Sequence, residues 1–290
     1  MPKVDIGIAC SKGQSSNWWQ PVMAELLAEQ KAGIEIGRIH AVASAMPDHN
    51  KNHILDDRRM RRTDTNRNKA AAGFLQGDAE WMWWLDDDTV PPKGALSHLL
   101  SLQKEAVGIP YVLAKPPHNP LAYMRSKDTG LYSAVWDFPM GSIIRVDSIG
   151  MGCTLTHRSI FEKIQTNFVE YQRPNGSFYP VHRSRIDTAS LPENNPYAAG
   201  GQERVEGMNL ITPLRQRDVD DPRPFPFFAM EYARTEDHFF WELAAQVGVH
   251  PFVDTFVWCR HIREYDFGLE HLQQMQAVEK ERLAKENESS

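Results

Sequence analysis

Residues 4–10 (VDIGIAC) are a short apolar run closed by the turn-like SKGQSSN, a pattern that predicts a buried strand. Residues 18–30 place Val22, Leu26 and Leu27 at helical spacing, and residues 34–43 predict a second strand. A helix follows over residues 61–76, with Ala70, Ala71, Phe74 and Leu75 on its apolar side and Gly77-Asp78 as the breaker. Residues 80–85 predict a third strand that runs straight into Asp86-Asp87-Asp88. Pro91 and Pro92 open a helix reaching about residue 104, and residues 106–113 form a fourth strand. Strands alternating with helices in this way predict an α/β fold: an open, mostly parallel central sheet flanked by helices on both faces. Ligands of such sheets sit beyond the carboxyl ends of the strands, where both SKGQSSN and the triple aspartate fall.

Beyond residue 113 the rhythm changes. Short strands are expected at 121–125, 131–136 and 142–146, then a strand at 150–156 and a short helix at 158–164. Residues 166–230 hold eight of the nineteen prolines and read as irregular, the signature of a lid or binding loop. An amphipathic helix follows at 235–247, carrying Phe239, Phe240, Leu243, Ala244 and Val247, and a last strand at 249–258. Residues 269–285 predict a polar helix before a frayed ENESS tail. The expected organisation is a single domain over 1–262, with halves 1–115 and 116–262, and a C-terminal helix and tail over 263–290.

Composition narrows the function classes. A net charge of −6 argues against a globally basic nucleic-acid binder. Three widely spaced cysteines form neither a disulfide framework nor a metal knuckle, which suits a reducing compartment. No apolar run approaches the roughly 18 residues that span a bilayer, so the expectation is a cytoplasmic protein without membrane contact.

The sharpest chemical signal is WMWWLDDDTVPP, residues 81–92. Three adjacent carboxylates at the end of an apolar strand repel one another unless a cation neutralises them. Hard divalent ions take one or two carboxylates together with substrate phosphates. On an extended chain Asp86 and Asp88 share a face and Asp87 points elsewhere. The competing reading is an acidic turn in which one aspartate caps the next helix.

This segment resembles the Asp-x-Asp motif of glycosyltransferases with the GT-A fold, a Rossmann-like architecture. Four other segments agree in order: RRTDTNRNKAAA (61–72) resembles the Arg/Asn-bearing helix before that motif, IGMGCTLTHRSIFEKI (149–164) the Gly-x-Gly strand and helix along the donor sugar, TEDHFFWELAAQVG (235–248) the Glu-Asp helix start, and Cys259-Arg260-His261 the late metal-binding histidine. The resemblance spans about residues 3–262. It implies a hexosyl- or pentosyltransferase using a nucleoside-diphosphate sugar and Mn²⁺ or Mg²⁺. Asp86 would contact the nucleotide ribose or the metal, and Asp88 and His261 would bind the metal. Arg62, Asn66, Asp87, Gly150, Gly152 and Glu236 would line the donor. Asp237 would be the general base of an inverting transfer to an acceptor hydroxyl. The triple aspartate leaves the key pair ambiguous by one residue.

The residues also admit plainer roles. Glu236 and Asp237 suit the first turn of a helix, with Thr235 as N-cap. Gly150 and Gly152 allow close packing, and a lone histidine is often structural. The basic stretch 58–69, six Lys/Arg against one acid, reads as a solvated face, as a diphosphate contact through Arg62, Asn66 and Lys69, or as a nucleic-acid footprint. Trp81, Trp83 and Trp84 read as core, whereas Trp18 and Trp19 have a better claim to a nucleotide edge. The acceptor is open. Arg173, His182, Arg183, Arg185, Arg204, Arg215, Arg217 and Arg223 suit an anionic one, such as a hydroxymethylated pyrimidine in DNA of the kind phage glycosyltransferases modify. Polysaccharide and protein acceptors compete with it. Two other classes stay in view: a metal-dependent nucleotidyltransferase or phosphohydrolase, and a non-catalytic nucleotide-sugar-binding protein.

Overall fold

The computed structural model describes residues 2–10, 16–43, 63–113, 117–172, 178–185, 215–216, 224–230, 234–262, 266–267, 272–273, 276–277 and 280. Its helices are α1 (Ser16–Lys31), α2 (Thr63–Leu75), α3 (Ala95–Ser101), α4 (Arg158–Asn167) and α5 (Glu236–Gln246). The first strands are β1 (Lys3–Cys10), β2 (Glu35–Ala43), β3 (Trp81–Asp86), β4 (Thr89–Val90), β5 (Ala106–Gly108), β6 (Ala122–Arg125), β7 (Tyr132–Ala134) and β8 (Ile143–Arg145). They are followed by β9 (Ser148–Ile149), β10 (Cys153–His157), β11 (Phe168–Gln172), β12 (Phe178–His182), β13 (Arg215–Gln216), β14 (Phe252–Asp254), β15 (Arg260–Ile262) and β16 (Asp266–Phe267).

A seven-stranded sheet in the order β2-β1-β3-β10-β5-β14-β8 forms the centre. β2, β1, β3, β5 and β14 run one way, and β10 and β8 run against them. The sheet is therefore mostly parallel, with β10 inserted antiparallel between β3 and β5. Alternation along β3 divides the core. Trp83 and Leu85 pack on one face with Val22 and Leu26 of α1 and Leu96 and Leu99 of α3. Met82 and Trp84 pack on the other with Phe74 of α2, Phe161 of α4 and Phe240 of α5. Helices thus cover both faces, as a strand buried on both sides requires.

Several elements differ from expectation, each for a local reason. The fourth strand stops at Gly108 because Pro110 offers no N–H to a ladder. The strand expected over 249–258 shrinks to β14, which Pro251 precedes. α3 begins at Ala95, behind a left-handed Gly94, and not at the proline pair. Its exposed N–H groups are met from another helix: Glu25 accepts from Ala95, and Glu29 accepts from Leu96 and Ser97, all at 3.0 Å. Residues 166–230 are not wholly irregular, since β11 pairs with both β12 and β13. Trp18 does not line a nucleotide edge; it is fully buried and its indole N–H donates to the Thr89 carbonyl at 2.8 Å. Trp83 and Trp84 are core, as expected. Among the described residues no helix is long and apolar enough to cross a membrane.

Candidate functional site

Parallel strands bring their carboxyl ends to one edge of the sheet, and the candidate residues gather there. β1 ends at Cys10 and β3 at Asp86. Because β10 is antiparallel, its amino end lies at the same edge, with Cys153 opposite Leu85. The loop carrying Gly150, Met151 and Gly152 therefore enters beside Asp86, whose N–H donates to the Gly152 carbonyl at 3.2 Å.

The centre of the site is Arg67, on the inward face of α2 and 2% exposed. Its Nη2 donates to Asp86 Oδ1 at 2.6 Å, and its Nη1 donates to Glu236 Oε1 at 2.9 Å and to Asp237 Oδ1. One buried cation thus joins three carboxylates from β3 and α5. Burial by itself would weaken the guanidinium's hold on its proton, but Asp237, Asp86 and Glu236 together raise its pKa instead. The imbalance falls on the acids. Asp237 is raised well above the ordinary carboxylate range by burial, opposed by Arg67 and reinforced by Glu236 and Asp86. Glu236 shifts upward too, again chiefly through burial.

Tyr111 closes the opposite side. Its hydroxyl donates to Asp86 Oδ2 at 3.2 Å and accepts from the Gly152 N–H at 2.9 Å. Burial, then Asp86 and Asp237, push its pKa well upward, so the phenol stays protonated and keeps donating. This ring also explains both glycines. A Cβ on Gly150 would lie 2.7 Å from the Tyr111 hydroxyl, and one on Gly152 2.5 Å from it.

Asp88 and His261 meet because β4 pairs with β15, placing His261 opposite Thr89. The Ile262 N–H donates to the Asp88 carbonyl at 2.6 Å, fixing that register. His261 Nδ1 lies 2.8 Å from the Val112 carbonyl, which can only accept, so Nδ1 carries the proton. Its Nε2 then faces Asp88 Oδ1 at 3.2 Å. The backbone carbonyl fixes one imidazole nitrogen and so aims the other at the Asp88 carboxylate. Among the described residues no group of three or more His, Cys, Asp or Glu is placed to hold a metal ion. An ion here would have these two ligands from the protein and would draw the rest from phosphate and water, as hard divalent ions do.

Of the residues singled out from the sequence, Asp86, Glu236 and Asp237 converge on Arg67, and Asp88 pairs with His261. Gly150 and Gly152 border this group through Tyr111. Asn66 is buried, its amide 3.3 Å from the Cys10 carbonyl, while Lys69 points to solvent. Asp87 is buried. Arg62 lies outside the described residues, as do Arg173, Arg204, Arg217 and Arg223. Thr235 is the N-cap of α5 but makes no side-chain cap bond. Arg67 and Tyr111 were missed. The signal for Arg67 was present: it stands three, four and seven residues before Ala70, Ala71 and Phe74, on the buried side of α2. A charged residue in an apolar stripe needs a buried partner.

No family model matches the chain, and no curated protein matches it. Among solved structures, the crystal structure of A197 from STIV is similar with a TM-score of 0.42 and 14% sequence identity, covering 91% of this chain and 86% of that one. A likeness this shallow decides nothing about function.

Proposed function

We propose that the chain is a metal-dependent glycosyltransferase of the GT-A kind, moving one glycosyl unit from a nucleoside-diphosphate sugar to an acceptor hydroxyl. The observation that carries this reading is His261 Nε2 turned onto Asp88 Oδ1 at 3.2 Å, at the carboxyl edge of the sheet. Asp88 and His261 would hold Mn²⁺ or Mg²⁺, which supplies Lewis-acid stabilisation of the departing diphosphate. Asp86, held by Arg67 and Tyr111, contacts the nucleotide ribose. Glu236 and the backbone around Gly150 and Gly152 line the donor.

Asp237 takes the acceptor proton. Burial raises its pKa above the ordinary carboxylate range, which makes its ionised form a stronger proton acceptor than a free carboxylate. The Met151 N–H lies 3.4 Å from Asp237 Oδ2, leaving that oxygen lightly held. A base at this position deprotonates a hydroxyl opposite the leaving group, so the transfer is inverting. The acceptor class proposed is a hydroxymethylated pyrimidine in DNA. Its test is retardation of hydroxymethylated DNA at low salt; no retardation of either modified or ordinary DNA sinks it.

The donor site is tested by thermal unfolding against nucleoside diphosphates and nucleotide sugars with Mn²⁺, Mg²⁺ or EDTA. A ligand at about 100 times its Kd adds about 2.7 kcal/mol of apparent stability. The expected shift belongs to one nucleoside diphosphate, requires metal and disappears in Asp88→Ala. No shift with any of them removes the reading. Release of pyrophosphate in place of nucleoside diphosphate during turnover would favour a nucleotidyltransferase.

A further inference from the structure

We infer that Arg67 is a positioning residue for this reaction: its planar guanidinium fixes where the base Asp237 stands relative to the donor carboxylate Asp86. The inference rests on the transferase reading. Asp86 and Asp237 come from elements far apart in the chain, and Arg67 touches both. At 2% exposure it is too deeply enclosed to be a substrate contact. Its own placement is secured from both sides. The next residue, Asn68, clasps the Phe228 backbone twice, donating to the carbonyl at 2.7 Å and accepting from the N–H at 2.9 Å. The Phe228 ring lies 5.9 Å from the guanidinium carbon.

The geometry calls for arginine and not for any cation. Nη1 serves two carboxylates of α5 while Nη2 serves β3, so the rigid fork sets the spacing between the two elements. An ammonium is a point charge on a flexible stem and holds no such spacing. Asp86 is also fixed from its other oxygen by Tyr111, which in turn is held by the Gly152 N–H. The base is therefore tied through one guanidinium to the same frame that lines the donor.

The experiment measures release of nucleoside diphosphate from uridine- and guanosine-diphosphate sugars with Mn²⁺, water standing in for the acceptor hydroxyl. Arg67→Lys is expected to lower kcat about 100-fold, the cost of a base displaced by about 1 Å, while the donor KM stays within a few-fold. Arg67→Lys added to Asp237→Asn is expected to cost nothing beyond Asp237→Asn alone, because a residue acting through the base has nothing left to position. If Arg67→Lys does not fold, Arg67→Gln replaces it, since an amide cannot span the three carboxylates; the same two results are expected. Turnover of Arg67→Lys equal to wild type, or losses that multiply with Asp237→Asn, overturns the inference alone. A wild-type protein that releases nucleoside diphosphate from none of these donors takes down the transferase reading and this inference with it.

Discussion

Asp237 stands in the first turn of α5, where an acid could serve the helix dipole, yet its carboxylate is committed to Arg67 and the Met151 N–H. Three acids on one buried cation leave an excess of negative charge that costs stability. A carboxyl whose pKa is raised by folding contributes most at low pH. Its stabilisation is complete below the unfolded value near 4 and is lost as pH climbs through the folded value. Asp237→Asn is therefore expected to raise the unfolding temperature at pH 8 and to lose that advantage at pH 4, while turnover collapses. Melting curves at the two pH values check this; a lower melting temperature at pH 8 would mean that the Arg67 pair outweighs the crowding. At the proposed metal pair, Asp88 and His261, His261→Ala is expected to abolish the metal requirement for nucleoside diphosphate binding or the binding itself, read by the same thermal shifts with and without EDTA. His261→Gln restores part of it if Nε2 is the ligand atom.

Elements carry these residues to their places, and two of them make specific forecasts. Gly152 lets β10 begin directly beneath Tyr111. Gly152→Ala would drive a methyl to 2.5 Å from the Tyr111 hydroxyl and 2.8 Å from Thr89 Oγ1, so the ring must move off Asp86. A stability loss of about 1–3 kcal/mol is expected, with weaker nucleotide binding, measured by denaturant titration and thermal shift. α3 has no capping side chain of its own and borrows Glu25 and Glu29 from α1. Glu29→Gln removes the charge that meets the Leu96 and Ser97 N–H groups and is expected to cost about 1–2 kcal/mol, with activity untouched. At this scale the sequence was readable where periodicity and length agreed: α2, α5 and β3 stand within a residue or two of their expected bounds. It was unreadable where a hydrogen-bonded neighbour decides. Nothing local in CTLTH states that β10 runs antiparallel, and the brevity of β14 depends on a single proline. The closeness of Asp88 to His261 was legible through motif order, whereas Arg67 was hidden inside a run of basic residues whose other members drew attention to the solvent side.

Across the whole molecule the chain folds back on itself in an order that differs from the order of its sequence. The two sides of the core meet only because β10, from the second half of the chain, fills the space between β3 and β5 from the first. During vectorial synthesis that space stays open until residue 157 has emerged, and β14 joins nearly a hundred residues later. A fragment ending at residue 115 would expose two facing ladder edges, apolar on both sides, with nothing to pair them. Chains truncated between residues 115 and 153 are therefore expected to aggregate, and chains that include β10 to stay dispersed, as sedimentation of the two sets of fragments would show.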